Sequence, residues 1–229
     1  MRILAIDAST EACSAALWRD GQVDCLFEVA PQQHTKIILP MIQELLQRNS
    51  LRVQDCSAIA FAQGPGSFTG LRIAAGVAQG LALAHNIPLI SISTLASLAL
   101  AGRSRYTQIN YFVTALDARM DEVYFALYAF NDEEGMVAII PDSLASPKEA
   151  SRLLNQHLVG RQWIGVGSGL TLLQDQIEPP AINLLPDYYP SAQEIALLAC
   201  ASYTSGAFIP MDQAMPKYLR HHVVHTAKH

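Results

Sequence analysis

The strongest constraint on the fold is that the chain states the same plan twice. Residues 3–8, ILAIDA, read as a buried strand ending on a carboxylate. CSAALW (13–18) continues as a second strand, Asp20-Gly21 is a hairpin turn signal, and QVDCLFEV (22–29) is the third strand. From residue 113 the sequence VTALDARMDEVYFALYAF restates that order. At one constant offset Ala5 aligns with Ala115, Asp7 with Asp117, Ala8 with Ala118, Ala16 with Ala126 and Leu17 with Leu127, while Trp18 meets Tyr128 and Glu11 meets Asp121. NDEEG (131–135) is the second hairpin turn and MVAIIP (136–141) its third strand. Each copy then gives a helix (34–48; 147–157), a strand (58–62; 162–166), a glycine-rich turn (GPGSFTG; GVGSG) and further helix. The expected product is a pair of similar α/β lobes, residues 1–103 and a second, smaller lobe that shares 104–229 with the C-terminal tail, joined through the polar, helix-poor segment AGRSRYTQIN (101–110). The last long helix falls at 191–204, with Ser191 and Glu194 in capping-box spacing and Gly206 just past its end.

With 229 residues, 51% of them hydrophobic, the chain can bury a substantial core. A net charge of −5 excludes binding nucleic acid through a global positive field. Arg103, Arg105 and the tail from Lys217 to Lys228 are the local basic groups, and each reads first as solvated surface charge. Cys13, Cys25, Cys56 and Cys200 form no CxxC pair and fit no zinc or disulfide framework, which suits a reducing compartment. The opening MRILAIDAS meets Asp7 too early for a signal peptide, and the longest apolar stretch, 73–84, is interrupted by Gly76, Gln79 and Gly80. A cytoplasmic protein without a membrane segment is expected.

GPGSFTG (64–70) has the make-up of a phosphate-gripping loop, with glycines and hydroxyls running straight into an apolar helix. Candidates for such a site, in vestigial form, are Asp7, Ser9, Gly64, Gly66, Ser67, Thr69, Gly70 and Asp117. The plainer reading makes Asp7 and Asp117 turn carboxylates that accept backbone hydrogen bonds, and Ser67 or Thr69 a helix cap. A nucleophile elbow needs Gly-x-Ser-x-Gly, which Gly66-Ser67-Phe68 breaks. His-x-x-x-His spacing occurs only in the tail, as His221 with His225 and again to His229, and reads as no metal site; His34, His85 and His157 read as packing or helix-end residues.

Two helices carry more apolar surface than one core stripe needs. In 70–85, Ile73, Val77 and Leu81 form a large row beside Ala74, Ala78 and Ala82, while Gly76, Gly80 and Ala84 form a small row headed by Arg72. Each mid-helix glycine costs up to about 1 kcal/mol against alanine, so two together point to close approach by another helix. In 34–48, Ile38, Met41, Ile42 and Leu45 belong to a similar surplus, and Pro40 is expected to bend or restart the helix. The expected partner interface is therefore Ile38, Met41, Ile42, Leu45, Arg72, Ile73, Gly76, Val77, Gly80 and Ala84; the competing reading has the second half of the chain covering both helices.

Two halves opening on strand, Asp, strand and strand resemble the actin-like (ASKHA) superfamily, with its RNase H-like lobes of mixed five-stranded sheets and flanking helices. HTKIILPMIQELLQ (34–47), FAQGPGSFTGLRIAAGVAQGLA (61–82), ALDARMDEVYFALY (115–128) and PKYLR (216–220) together resemble the bacterial TsaB family, also called YeaZ. Ala74 stands where that family commonly has glycine, and the histidine-rich tail (His221, His222, His225, His229) is no motif of it. The resemblance implies a non-catalytic paralogue of TsaD in the machinery that places threonylcarbamoyl on the adenosine beside the anticodon of tRNA. It implies pairing with TsaD and with itself, joining by the ATPase TsaE, contact with tRNA only through the complex, and ATP and metal held by the partner subunits rather than tightly here. TsaD carries a His-x-x-x-His pair where this chain reads TLASLALAG (94–102), without histidine. The alternatives are a free-standing nucleotide hydrolase or kinase of the actin superfamily, or a protease-like protein.

Overall fold

A computed structural model describes residues 1–131, 133 and 135–220; the tail histidines lie outside them. Two five-stranded sheets follow one plan. In the first, β1 (Arg2–Asp7), β2 (Ala12–Arg19) and β3 (Gln22–Val29) form an antiparallel meander, and β4 (Ala58–Gly64) and β5 (Leu89–Ser93) extend it in parallel on the other side of β1, giving the order β3-β2-β1-β4-β5. In the second, β6 (Tyr111–Arg119), β7 (Glu122–Asn131) and β8 (Gly135–Ala145) form the meander, with β9 (Trp163–Val166) and β10 (Asn183–Leu185) parallel beside β6. The duplicated actin-like architecture is thus present strand for strand. Asp20 and Gly21 make the two-residue turn with φ of 52° and 87°, the paired positive values of a type I′ hairpin.

Alternation along the strands sorts the side chains into layers. Leu4, Ile6, Ala15, Leu17, Ile59 and Phe61 face α1 (His34–Arg48) and α2 (Phe68–His85). Their neighbours Ile3, Ala5, Ala16, Ala58 and Ala60 face the other way. Across them lies not α3 (Thr94–Arg105) but α5 (Ala192–Thr204), through Ala192, Ile195, Ala196 and Ala199. α3 instead covers the inner face of the second sheet, packing Leu95, Leu98 and Ala99 on Phe112, Leu116, Ala126 and Ile164. The outer face of that sheet is covered by α4 (Pro147–Leu158). The lobes therefore exchange helices, and a division at 103/104 cuts through α3.

This exchange corrects the expected connector. Residues 101–105 are the last turn of α3, because Gly102 lets the helix lie against Phe112 and Val166, where a Cβ would come within 2.7 and 2.9 Å of their side chains. Arg103 then closes the turn by bonding the Ile109 carbonyl (2.9 Å) and lying over the Phe130 ring. Two smaller expectations also change. α1 runs unbroken through Pro40. At α5 only half a capping box forms: Ser191 Oγ accepts the Gln193 N–H (3.2 Å), while Glu194 Oε1 accepts from the Gln193 side-chain amide. Gly206, at φ 72°, sits where expected past the end of α5. Among the described residues no helix is long and apolar enough to cross a membrane.

Candidate functional site

The cleft between the lobes opens where β1 ends on Asp7 and β6 passes Asp117 near its end, and it encloses about 680 Å³ among Thr10, His34, Phe68, Arg119, Tyr188 and Arg220. Both aspartates work as turn residues. Asp7 Oδ1 accepts the Ser9 N–H (2.7 Å) and Asp117 Oδ1 accepts the Arg119 N–H (2.7 Å). The glycine loops are pressed onto these turns from behind. A Cβ on Gly66 or Gly70 would overlap the carbonyl oxygen of Ser9 or Ala8, and one on Gly167, at φ 105°, would overlap that of Ala115. Each lobe thus needs glycine for contact with its own backbone.

That contact engages two of the loop's backbone donors. The Ser67 N–H is given to the Ser9 carbonyl (2.7 Å), and the Gly70 N–H goes to the Ser67 hydroxyl (3.4 Å), which caps α2. Asp7 and Ser9 are buried, and Asp7 Oδ2 has no partner among the described residues. Burial pushes the Asp7 carboxyl above its ordinary value, against the lowering effect of the Ser9 hydrogen bonds. No group of three or more His, Cys, Asp or Glu side chains that could hold a metal ion occurs among the described residues. His34 is buried and bonds the Thr10 carbonyl through Nε2 (2.8 Å), tying α1 to the first turn. His85 and His157 stand exposed in the last turns of α2 and α4.

The two candidate interface helices part company. Ile38, Met41, Ile42 and Leu45 of α1 are buried inside the chain's own first core, Leu45 completely, so these four side chains are not surface for a partner. The physical reason is the width of the sheet: β1, β2 and β4 offer apolar positions under the whole stripe. On α2 the row Arg72, Gly76, Gly80 and Ala84 is exposed, with Ile73 and Val77 half-buried at its margin. A Cβ placed on Gly76 or Gly80 would meet nothing within 4 Å. Gly64 and Gly70 are buried, Gly66 and Asp117 half-buried, and Ser67 and Thr69 exposed.

Three residues that sequence reasoning passed over belong to this face. Leu83 is 72% exposed and lies about three helical turns beyond Arg72, in line with it; grouping residues by fours hid that longer line. Phe68, 56% exposed, opens the helix, and Tyr218 comes from the C-terminal segment, whose sequence shows no periodicity. That segment is a strap. The Ile209 N–H bonds the Leu89 carbonyl (2.9 Å), Met211 O accepts from the Gln79 amide, Ala214 is buried in the first core, and the Lys217 N–H bonds the Gln63 carbonyl (2.8 Å). At its end Arg220 pairs with Glu122 and donates to the Ala118 carbonyl (3.1 Å), so the strap crosses from the first lobe to the β6–β7 hairpin of the second. PKYLR supplied its residues but not their contacts.

The family described as TsaD: tRNA N6-adenosine threonylcarbamoyltransferase matches residues 27–225. The chain is 40% identical to the tRNA threonylcarbamoyladenosine biosynthesis protein TsaB of Escherichia coli (strain K12), over 97% of this chain and 96% of that one. It is 36% identical to the protein of the same name from Haemophilus influenzae, over 97% and 95%. Among solved structures, YeaZ from Pseudomonas aeruginosa superposes with a TM-score of 0.87 at 34% identity, over 95% of this chain and 99% of that one. Motif order, duplicated sheets and near full-length identity agree: the chain belongs to the TsaB (YeaZ) family.

Proposed function

We propose that this chain serves the formation of threonylcarbamoyladenosine in tRNA as a non-catalytic subunit, by binding and organising a TsaD-like transferase, with a TsaE-like ATPase joining the pair. The names of its relatives support the pathway. The observation that carries the subunit role is the open glycine line of α2. Small residues on an exposed helix face let a second helix approach to roughly 8 Å between axes, and Leu83 on the same line offers a knob for such a notch. The same line suits a second copy of this chain, so self-pairing and transferase-pairing compete for one surface. With a net charge of −5, the chain meets tRNA through the complex rather than alone. ATP and metal belong to the partner subunits, a reading supported by the Ser67 N–H that the loop gives to the Ser9 carbonyl.

Gly76→Leu tests the reading, because the added side chain enters open space and spares the core. Mixed with the TsaD-like subunit and run on a size-exclusion column, the variant stays folded and elutes apart from it; co-elution as wild type overturns the proposal. Calorimetry of the isolated chain with ATP and Mg²⁺ should show no tight binding, and a micromolar constant with turnover would favour the hydrolase alternative.

A further inference from the structure

We infer that Arg72 is the charged anchor of the α2 face and takes a carboxylate from the TsaD-like subunit that docks there; this rests on the partner-binding reading above. The guanidinium of Arg72 lies 3.8 Å over the Phe68 ring, one helical turn back, and its Nε donates to the Tyr218 hydroxyl (2.8 Å). Tyr218 packs on Phe68 with ring centroids 5.4 Å apart, so arginine and two rings form one platform. The strap fixes that platform from behind through the Lys217–Gln63 backbone bond and the buried Ala214.

The platform lacks an anion. Arg119 and Arg220, at the cleft beside it, both have carboxylate partners, in Glu11 and Asp117 for the first and Glu122 for the second. Arg72 has none among the described residues. With Nε committed to Tyr218, the outer edge of the guanidinium, Nη1 and Nη2, remains as a planar fork that matches the two oxygens of one carboxylate. A helix laid along Gly76 and Gly80 reaches Arg72 at the end of the same line and takes it out of water. An unpaired charge covered in that way is strongly unfavourable, so a partner that fits this face brings an acceptor to this point. Because Phe68 and Tyr218 already hold the side chain, little rotamer freedom is lost on pairing. Tyr218 is then a positioning residue, acting through Arg72.

The test is the affinity of the TsaD-like subunit for wild type, Arg72→Ala, Arg72→Glu, Arg72→Lys and Tyr218→Phe, by calorimetry at low and high salt, with thermal melts as the folding control. Arg72→Ala weakens pairing by about 30-fold or more, the fold-change for truncating one partner of a buried charge pair. Arg72→Glu weakens it further, Arg72→Lys gives an intermediate loss, and Tyr218→Phe gives a smaller loss with an unchanged melt. A reversed charge on the partner, found by changing its acidic residues one at a time to Lys, restores pairing to Arg72→Glu. If Arg72→Glu pairs as wild type while Gly76→Leu does not, the face stands and the anchor falls. If Arg72→Glu is impaired and no acidic position of the partner rescues it, the carboxylate assignment falls. If both variants pair as wild type, the partner-binding reading itself fails.

Discussion

α1 and α2 lie side by side on one face of the first sheet, and both carry more apolar residues than a single stripe holds. Their fates differ. α1 sinks Ile38, Met41, Ile42, Leu45 and Leu46 into the sheet and shows to solvent Leu39 among polar residues such as Gln43, Glu44 and Gln47. α2 sinks its alanines, Ala74, Ala75, Ala78 and Ala82, and shows glycines. The quantity of hydrophobic surface therefore does not locate an interface. What separates the two helices is where the small residues go. A helix that lies close to its sheet on alanine, and keeps a second small line on its outer face, has a line that its own fold does not use.

The largest expected effect tests the covered helix. Leu45→Ala opens a cavity at a fully buried position and lowers stability by about 2–5 kcal/mol. Measured by denaturant titration, with pairing assayed well below the melting point, the loss falls on folding and leaves the affinity for the transferase unchanged. Weakened pairing at full folding would return α1 to the interface and break the contrast.

The opposite face of the same sheet supplies a second check, because α5 covers it as α1 covers the first. Glu194 is buried on α5, and burial raises its carboxyl above the ordinary value of about 4.3. Between the ordinary and the raised pKa the folded chain holds a proton that the unfolded chain lacks. Stability therefore rises as pH falls through that window, and the gain is absent above the folded pKa. Thermal melts from neutral pH downward should show the rise, and Glu194→Gln should flatten it. Asp7, raised in the same direction, leaves a residual slope. A wild-type curve already flat would mean that the Glu194 carboxyl is not kept from water as α5 places it.

Much of this was legible before any coordinates. The offset pairing Asp7 with Asp117 gave two lobes of one topology, Asp20-Gly21 gave the hairpin, and the apolar period of 34–48 gave α1 to its ends. Such signals are local: a turn that requires positive φ, a period of 2 or 3.6. The exchange of α3 and α5 between sheets was not legible, because either helix could cover either sheet by composition, and only the chain's path decides. The strap was hidden for a related reason. Residues 207–220 have no period, since their contacts reach Leu89, Gln63, Arg72 and Glu122 one residue at a time. For α1, surplus apolar residues could not reveal how wide a sheet lay beneath them.

The smallest effect separates the two helices most cleanly. Gly80 costs α2 up to about 1 kcal/mol relative to alanine, and a Cβ there meets nothing in the lone chain. Gly80→Ala should therefore stabilise the isolated protein by several tenths of a kcal/mol, since neither backbone strain nor a steric clash opposes it. If the glycine serves only the fold, that gain is all there is. If it is a notch for another helix, the same methyl holds the partner's backbone away, and affinity for the transferase falls while the melting temperature rises. No change in a core helix produces opposite signs in the two measurements: at Leu45 a smaller side chain can only lose stability, because every atom there is used by the chain itself. Stability and affinity moving together at Gly80 would show that α2 is as self-contained as α1.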